Sequence, residues 1–302
     1  MQNVRLGIDH PVVTVRDHAA ALKRYRAIGF APSPVSYHPW GTVLSLMMFR
    51  DNFIELIGVD DPAKFGTNAV GDFCYGRNVG RFLDRAEGLG LVALHSRDAD
   101  EDHRTLTARG LPSQGRIDFL RATKNADGSP ATAVVSLGLF LNPSQPDVSQ
   151  FICHQHRPEL IWVPEWQNHP NGANAVVGVT YIADRPADLR DRFVAFYGEE
   201  ATVETETSLT VETGCGWFRF LRSDIARASF GGMELPWWDG NAPHGIAITV
   251  ASALFDSLPA LWERNGVSFL RSPRGNFLLP PEECGNVVLE FTRSGPESDL
   301  SG

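Results

Sequence analysis

One pattern of apolar and polar positions recurs four times along the chain. It is a short apolar strand, a turn with an acidic residue, an amphipathic helix closing near a glycine, and three strand-like runs. The first copy opens with GIDHPVVTV and continues through DHAAALKRYRAIGF. There Ala21, Leu22, Tyr25 and Ile28 keep one apolar face, and Gly29 fits the helix end. PSPVSYH, TVLSLMMF and NFIELIGV follow. The second copy runs from LGLVALHS to SQFICHQH, the third from AVVGVTYIA to GWFRFLR, and the fourth from HGIAITVA to NVVLEFTR. The helix-closing glycines are Gly29, Gly110, Gly198 and Gly266, at separations of 81, 88 and 68 residues.

Each copy therefore reads as a βαβββ module, and the chain as an α+β protein. The boundaries predicted are 4–62, 88–158, 175–232 and 242–294, with a Pro-, Trp- and Asn-rich connector at 159–174 and a disordered GPESDLSG tail. A strand, a helix and a three-strand meander cannot close a core alone, so modules must pair. Composition narrows the class. Hydrophobic residues are 43%, charged residues 21%, and the net charge is −9. That balance suits a globular chain and gives no electrostatic footprint for nucleic acid or an anionic membrane. With no export signal and no long apolar run, the expected location is the cytoplasm. Cys74, Cys153, Cys215 and Cys284 are far apart, which predicts four reduced thiols.

The segments GIDHPVVTVRD, AIGF, HPWGT and FIELIGV of copy one, with HGIAITVA and GNVVLEFTR of copy four, resemble the vicinal-oxygen-chelate superfamily, and its glyoxalase-like branch in particular. The resemblance implies four modules forming two pseudo-barrel sheets. It also implies one divalent metal (Fe, Mn, Ni or Zn), held by histidines on first strands and glutamates on last strands. His10 and Glu55 lie 45 residues apart in copy one, and His244 and Glu290 lie 46 apart in copy four. Imidazole and carboxylate suit such ions. Counting back from the helix glycine puts Leu91 at the His10 position of copy two, with Cys153 near that of Glu55. In copy three the positions fall near Val177 and Arg219. Adjacent pairing would leave each half only two of these ligands, so module one is expected to pair with module four, where a single site gathers all four, and the connector is expected on the far side.

Other candidates sit beside these. His154 and His156 share a strand face and offer an alternative metal pair for a site built from copies one and two. His38 and Trp40 in YHPWGT, and Arg274 in SPRG, are substrate-contact candidates. The leading expectation is a metal-dependent lyase or isomerase acting on a small vicinally oxygenated substrate, with Glu55 or Glu290 as general base; no basic pocket for glutathione carboxylates is evident in the sequence. The alternatives are an Fe(II) extradiol-type ring-cleaving dioxygenase and a non-catalytic, resistance-type binding protein. The expected partner is a small molecule only, and the expected assembly a monomer or homodimer.

Overall fold

The computed structural model describes residues 6–124, 129–238 and 242–295. The expected tail lies outside them except for Gly295, as do residues 4 and 5 of module one. Module one holds β1 (Ile8–Thr14), α1 (His18–Ile28), β2 (Ser36–Tyr37), β3 (Thr42–Met48) and β4 (Phe53–Val59), and α2 (Tyr75–Arg85) follows it. Module two holds β5 (Gly88–Ser96), α3 (Ala99–Ala108), β6 (Gly115–Lys124), β7 (Pro130–Phe140) and β8 (Gln150–Gln155). Module three has β9 (Ala173–Ile182), α4 (Arg190–Tyr197), β10 (Thr202–Glu204), β11 (Ser208–Glu212) and β12 (Trp217–Leu221), with α5 (Ser223–Ser229) after it. Module four has β13 (His244–Ser252), α6 (Leu258–Asn265), β14 (Leu270–Arg271), β15 (Phe277–Leu279) and β16 (Val288–Arg293).

Local sequence explains the first unit. The Asp17 carboxylate accepts from the Ala20 amide at 2.9 Å and caps α1, satisfying one of its free N–H groups. Leu22, Tyr25 and Ile28 bury one face of that helix. Gly29 ends it at φ 98°, where a Cβ would also meet Leu261 at 2.7 Å. In β4 the side chains alternate: Phe53, Glu55 and Ile57 point to the concave side of the sheet, Ile54 and Leu56 to the helix side.

Modules pair with their sequence neighbours. β1 runs antiparallel to β5 and β9 to β13, giving the orders β2-β3-β4-β1-β5-β8-β7-β6 and β10-β11-β12-β9-β13-β16-β15-β14. The two sheets join edge to edge where Gly245 of β13 pairs with Leu89 of β5. This corrects the expected pairing of module one with module four. Each first strand has one edge left open by its own meander, and the nearest module along the chain reaches it with the shorter loop closure.

The helix sides of both sheets merge into one apolar core, in which the Trp262 indole N–H of α6 donates to the Ile28 carbonyl at 2.9 Å. Each half keeps its own concave cluster. The connector also departs from expectation. It lies against the first half, where Trp162 packs edge-on against Phe53 at 5.4 Å. All four cysteines are free thiols, three of them buried. No helix among the described residues is long and apolar enough to cross a membrane.

Candidate active site

The concave face of the first half encloses a cavity of about 50 Å³, space for only a few heavy atoms. Two side chains reach it from the central strands. β1 changes register against β5 on either side of the His10–Val12 segment, and such bulges re-aim side chains. His10 emerges there, stacked on Phe53 with ring centroids 4.2 Å apart. Glu55 holds the inward position of β4 opposite Val12, with its Oε2 3.5 Å from His10 Nε2.

The turn before β3 supplies two more groups. His38 Nε2 faces Glu55 Oε1 at 4.0 Å, and its Nδ1 lies 3.0 Å from Thr42 Oγ1. Trp40 stacks on His38 at 4.7 Å and is buried, with its indole N–H unpartnered. These four predicted residues come together.

A buried carboxylate sits behind His10. Asp9 lies 2.5 Å from His10 Nδ1 and 2.6 Å from His95 Nδ1, while His95 Nε2 lies 2.8 Å from the Asp51 carbonyl. Burial alone would raise the Asp9 carboxyl; His95 first and then His10 more than cancel this and hold it well below the usual range. Burial lowers His95, but Asp9 outweighs that and the imidazole is raised. With Nδ1–H donated to Asp9, His10 presents its Nε2 to the cavity.

Glu55 differs from Asp9. It is buried and accepts no hydrogen bond from any described residue, and burial raises its carboxyl against the opposing charges of His10 and Arg121. Burial, with Arg121 and His10 nearby, holds His38 well below the ordinary imidazole value. Burial pushes the Tyr75 hydroxyl of α2 and the Cys153 thiol well up, so both keep their protons.

The remaining predicted residues lie elsewhere. In the second half Thr249 stands opposite Glu290 as Val12 stands opposite Glu55, and the register shifts of β13 match those of β1. The residue in the place of His10 is therefore Ala247. His244, three residues earlier, stacks on Trp238 at 5.2 Å and contacts the Ala242 carbonyl. Gly29 lies 19 residues after His10, and Gly266 lies 19 after Ala247, so the helix glycine would have given the right frame. Glu290 accepts from Thr249 Oγ1 at 2.9 Å and from Asn276 Nδ2 at 2.8 Å. Arg274 is exposed, outside the cavity.

His154 and His156 lie outside the cavity, their rings stacked on each other at 3.9 Å, because the intervening inward positions are Cys153 and Gln155. In module two, Ala93 pairs with Phe151, so matching Leu91 to His10 puts Phe151 rather than Cys153 at the place of Glu55. Sequence reading missed Asp9, His95, Tyr75 and Arg121. Only Arg121 carried a signal, as the third inward step of the alternation Ile117, Phe119, Arg121.

Among the described residues, no three His, Cys, Asp or Glu side chains already stand at the spacing of a closed metal site. The donor types nevertheless fit a borderline divalent ion. His10 and His38 offer Nε2 atoms whose partner nitrogens are engaged, and Glu55 is a carboxylate with no donor.

A family model described as "Glyoxalase-like domain" matches residues 8–197. A search of curated protein sequences gives no match. Among solved structures, a hypothetical protein from Staphylococcus aureus is similar at TM-score 0.65 and 13% identity, over 96% of this chain and 100% of that one. A triple mutant of 4-hydroxymandelate synthase from Streptomyces coelicolor is similar at TM-score 0.54 and 11% identity, over 97% and 94% of the two chains. At these identities the structural likeness speaks to the fold. The family match spans both modules of the first half and most of module three's opening elements, and with it the chain belongs to the glyoxalase-like domain family of the vicinal-oxygen-chelate superfamily.

Proposed function

We propose that this protein is a divalent-metal-dependent lyase or isomerase that handles a small vicinally oxygenated substrate in the first-half cavity. The observation that carries this reading is Glu55, a buried carboxylate without a hydrogen-bond donor that faces two imidazole Nε2 atoms at 3.5 and 4.0 Å. Burying a carboxylate that accepts no hydrogen bond is costly, so such a group calls for a cation or a proton. His10, Glu55 and His38 are the residues that would hold the ion. Bound there, the metal would supply Lewis-acid stabilisation of charge developing on a substrate oxygen.

The chain's own groups do the rest. Asp9 fixes the tautomer and orientation of His10. Glu55, whose carboxyl burial raises, is suited to take a proton from a substrate carbon or hydroxyl and return it. Tyr75, kept protonated, is a donor toward an oxygen in the cavity. The apolar walls from Leu44, Phe119 and Leu137 exclude water and strengthen each of these interactions.

Elemental analysis of the untagged protein tests the reading. The wild type and His244→Ala should carry stoichiometric metal, and His10→Ala, His38→Ala and Glu55→Gln should lose it. A wild type without metal after reconstitution, or loss in His244→Ala alone, would sink the proposal. Two imidazoles and one carboxylate are also the donor types of an iron-dependent dioxygenase, and that favours a second reading. Oxygen uptake by the Fe(II)-loaded protein with a catechol would select it.

A further inference from the structure

Arg121 is a charge in the wrong place for a structural residue. On β6 the inward positions are Ile117 and Phe119, both buried, while Leu120 between them and Arg121 is exposed. Arg121 takes the next inward step and lines the cavity beside Phe119. Burial lowers its guanidinium, and the Glu55 and Cys153 groups that sense its charge oppose that only in part. It makes no hydrogen bond, ion pair or ring contact with any described residue. Other buried or half-buried arginines are engaged: Arg85 grips Asp147 through two oxygens, and Arg192 bonds Gln150. A guanidinium presents a fork of donors matched to a carboxylate, and an arginine left without one in an apolar wall is costly to the fold.

The position of Arg121 shows where a partner would come from. Outside the cavity lies a groove of about 830 Å³, walled by Val35 on one side and by Leu160, Val163 and Trp166 of the connector on the other. Leu44, Leu46 and Arg121 line both the groove and the cavity. Arg121 thus stands at the threshold, between a largely apolar outer room and an inner chamber that holds His10, His38 and Glu55. Of the acidic residues in the groove, Glu159 is bound by Arg157 at 2.9 Å and Glu165 is exposed.

We propose that Arg121 is the anion-recognition residue of the substrate site, and that the substrate is a monocarboxylate with an apolar or aromatic body. The body fills the groove and the carboxylate takes the guanidinium fork. This sets the adjoining oxygenated carbon at the mouth of the inner chamber. The guanidinium already senses Glu55, so the site favours a single added negative charge, and a phosphate dianion would bring a second one toward that carboxylate. The assignment of which end is transformed rests on the metal-dependent reading above; recognition of the carboxylate does not.

Calorimetric titration with phenylacetate and its neutral analogue phenylacetamide tests this, with metal content measured on the same samples. The wild type should bind the acid at least tenfold more tightly than the amide. Arg121→Gln should lose that preference while keeping amide binding and metal content, with a thermal midpoint no lower than that of the wild type, and Arg121→Lys should retain part of it. Equal affinity for acid and amide in the wild type, no binding of either, or undiminished preference in Arg121→Gln would overturn the assignment. Tighter binding of phenyl phosphate than of phenylacetate would overturn the monocarboxylate class. A wild type without metal that still shows an Arg121-dependent acid preference would sink the metal reading and leave this one standing.

Discussion

The two halves share one topology and one strand register, yet their matching inward acids are partnered differently. Glu55 and Glu290 occupy matching inward positions, opposite Val12 and Thr249. Glu290 is satisfied: a threonine hydroxyl and an asparagine amide donate to it. Among the described residues Glu55 has no donor and faces imidazoles instead. Where the first half has His10, the second has Ala247. Its concave cluster is completed by Phe230 and Met233, which follow α5. Near Arg219, the Trp217 side chain lies so close to Gly178 that a Cβ there would meet it at 2.2 Å. The lesson is that residue type alone does not mark a site. A buried acid whose hydrogen bonds are complete is part of the scaffold, whereas one left incomplete is poised for a ligand.

The largest test of this contrast is to hollow out the second half. Phe230→Ala should cost about 3–5 kcal/mol of stability, the usual cost of removing a buried aromatic ring. It should leave metal content unchanged. Denaturant unfolding beside elemental analysis reads both, and metal loss in a still-folded variant would break the comparison.

A smaller effect is expected behind His10. Asp9→Asn weakens the acceptor that orients the imidazole, and should reduce metal affinity by about 10–100-fold in a chelator competition. Thr249→Val, which removes one of Glu290's donors, should leave that affinity untouched. If both variants changed it alike, the halves would share one site after all.

The smallest effect concerns the connector that roofs the first half. The Ala31 amide donates to His169 Nδ1 at 3.0 Å, and His169 Nε2–H donates to the Met48 carbonyl at 2.8 Å. Burial holds this imidazole below its ordinary value near 6.5, so the native state favours the neutral ring. The unfolded chain then binds the extra proton first as pH falls. The stabilisation is full above about pH 6.5 and is lost as pH drops toward the folded value. Unfolding midpoints of wild type and His169→Asn between pH 5 and 8 should differ most at pH 8 and converge toward pH 5. A constant difference would remove the connector's histidine from the acid response.

Part of the site was legible in the sequence because it is local to one module. His10, Glu55, His38 and Trp40 sit on or beside strands joined by short turns, so spacing together with the family resemblance was enough to group them. His244 was misread because a 46-residue spacing ignores the loops within it. The frame is set by strand register, and Ala247 is what faces Glu290's neighbourhood. α2 and α5 were missed as well. α2 has no side-chain cap at Cys74, but Tyr75, Val79, Phe82 and Leu83 do repeat at helical spacing and were overlooked; α5 is seven residues long and announces itself less.

The sequence by itself determined the module and its number. Period-two and period-3.6 patterns and helix-ending glycines are dictated by backbone geometry within a few tens of residues. Which modules pair, which inward acid is hydrogen-bonded, and that Arg121 meets no hydrogen-bond partner among the described residues between a groove and a chamber were decided only by tertiary structure. Those outcomes depend on contacts between residues far apart in the chain. A free edge, a filled cavity or a missing counter-charge belongs to a set of neighbours, and no single stretch of sequence carries it.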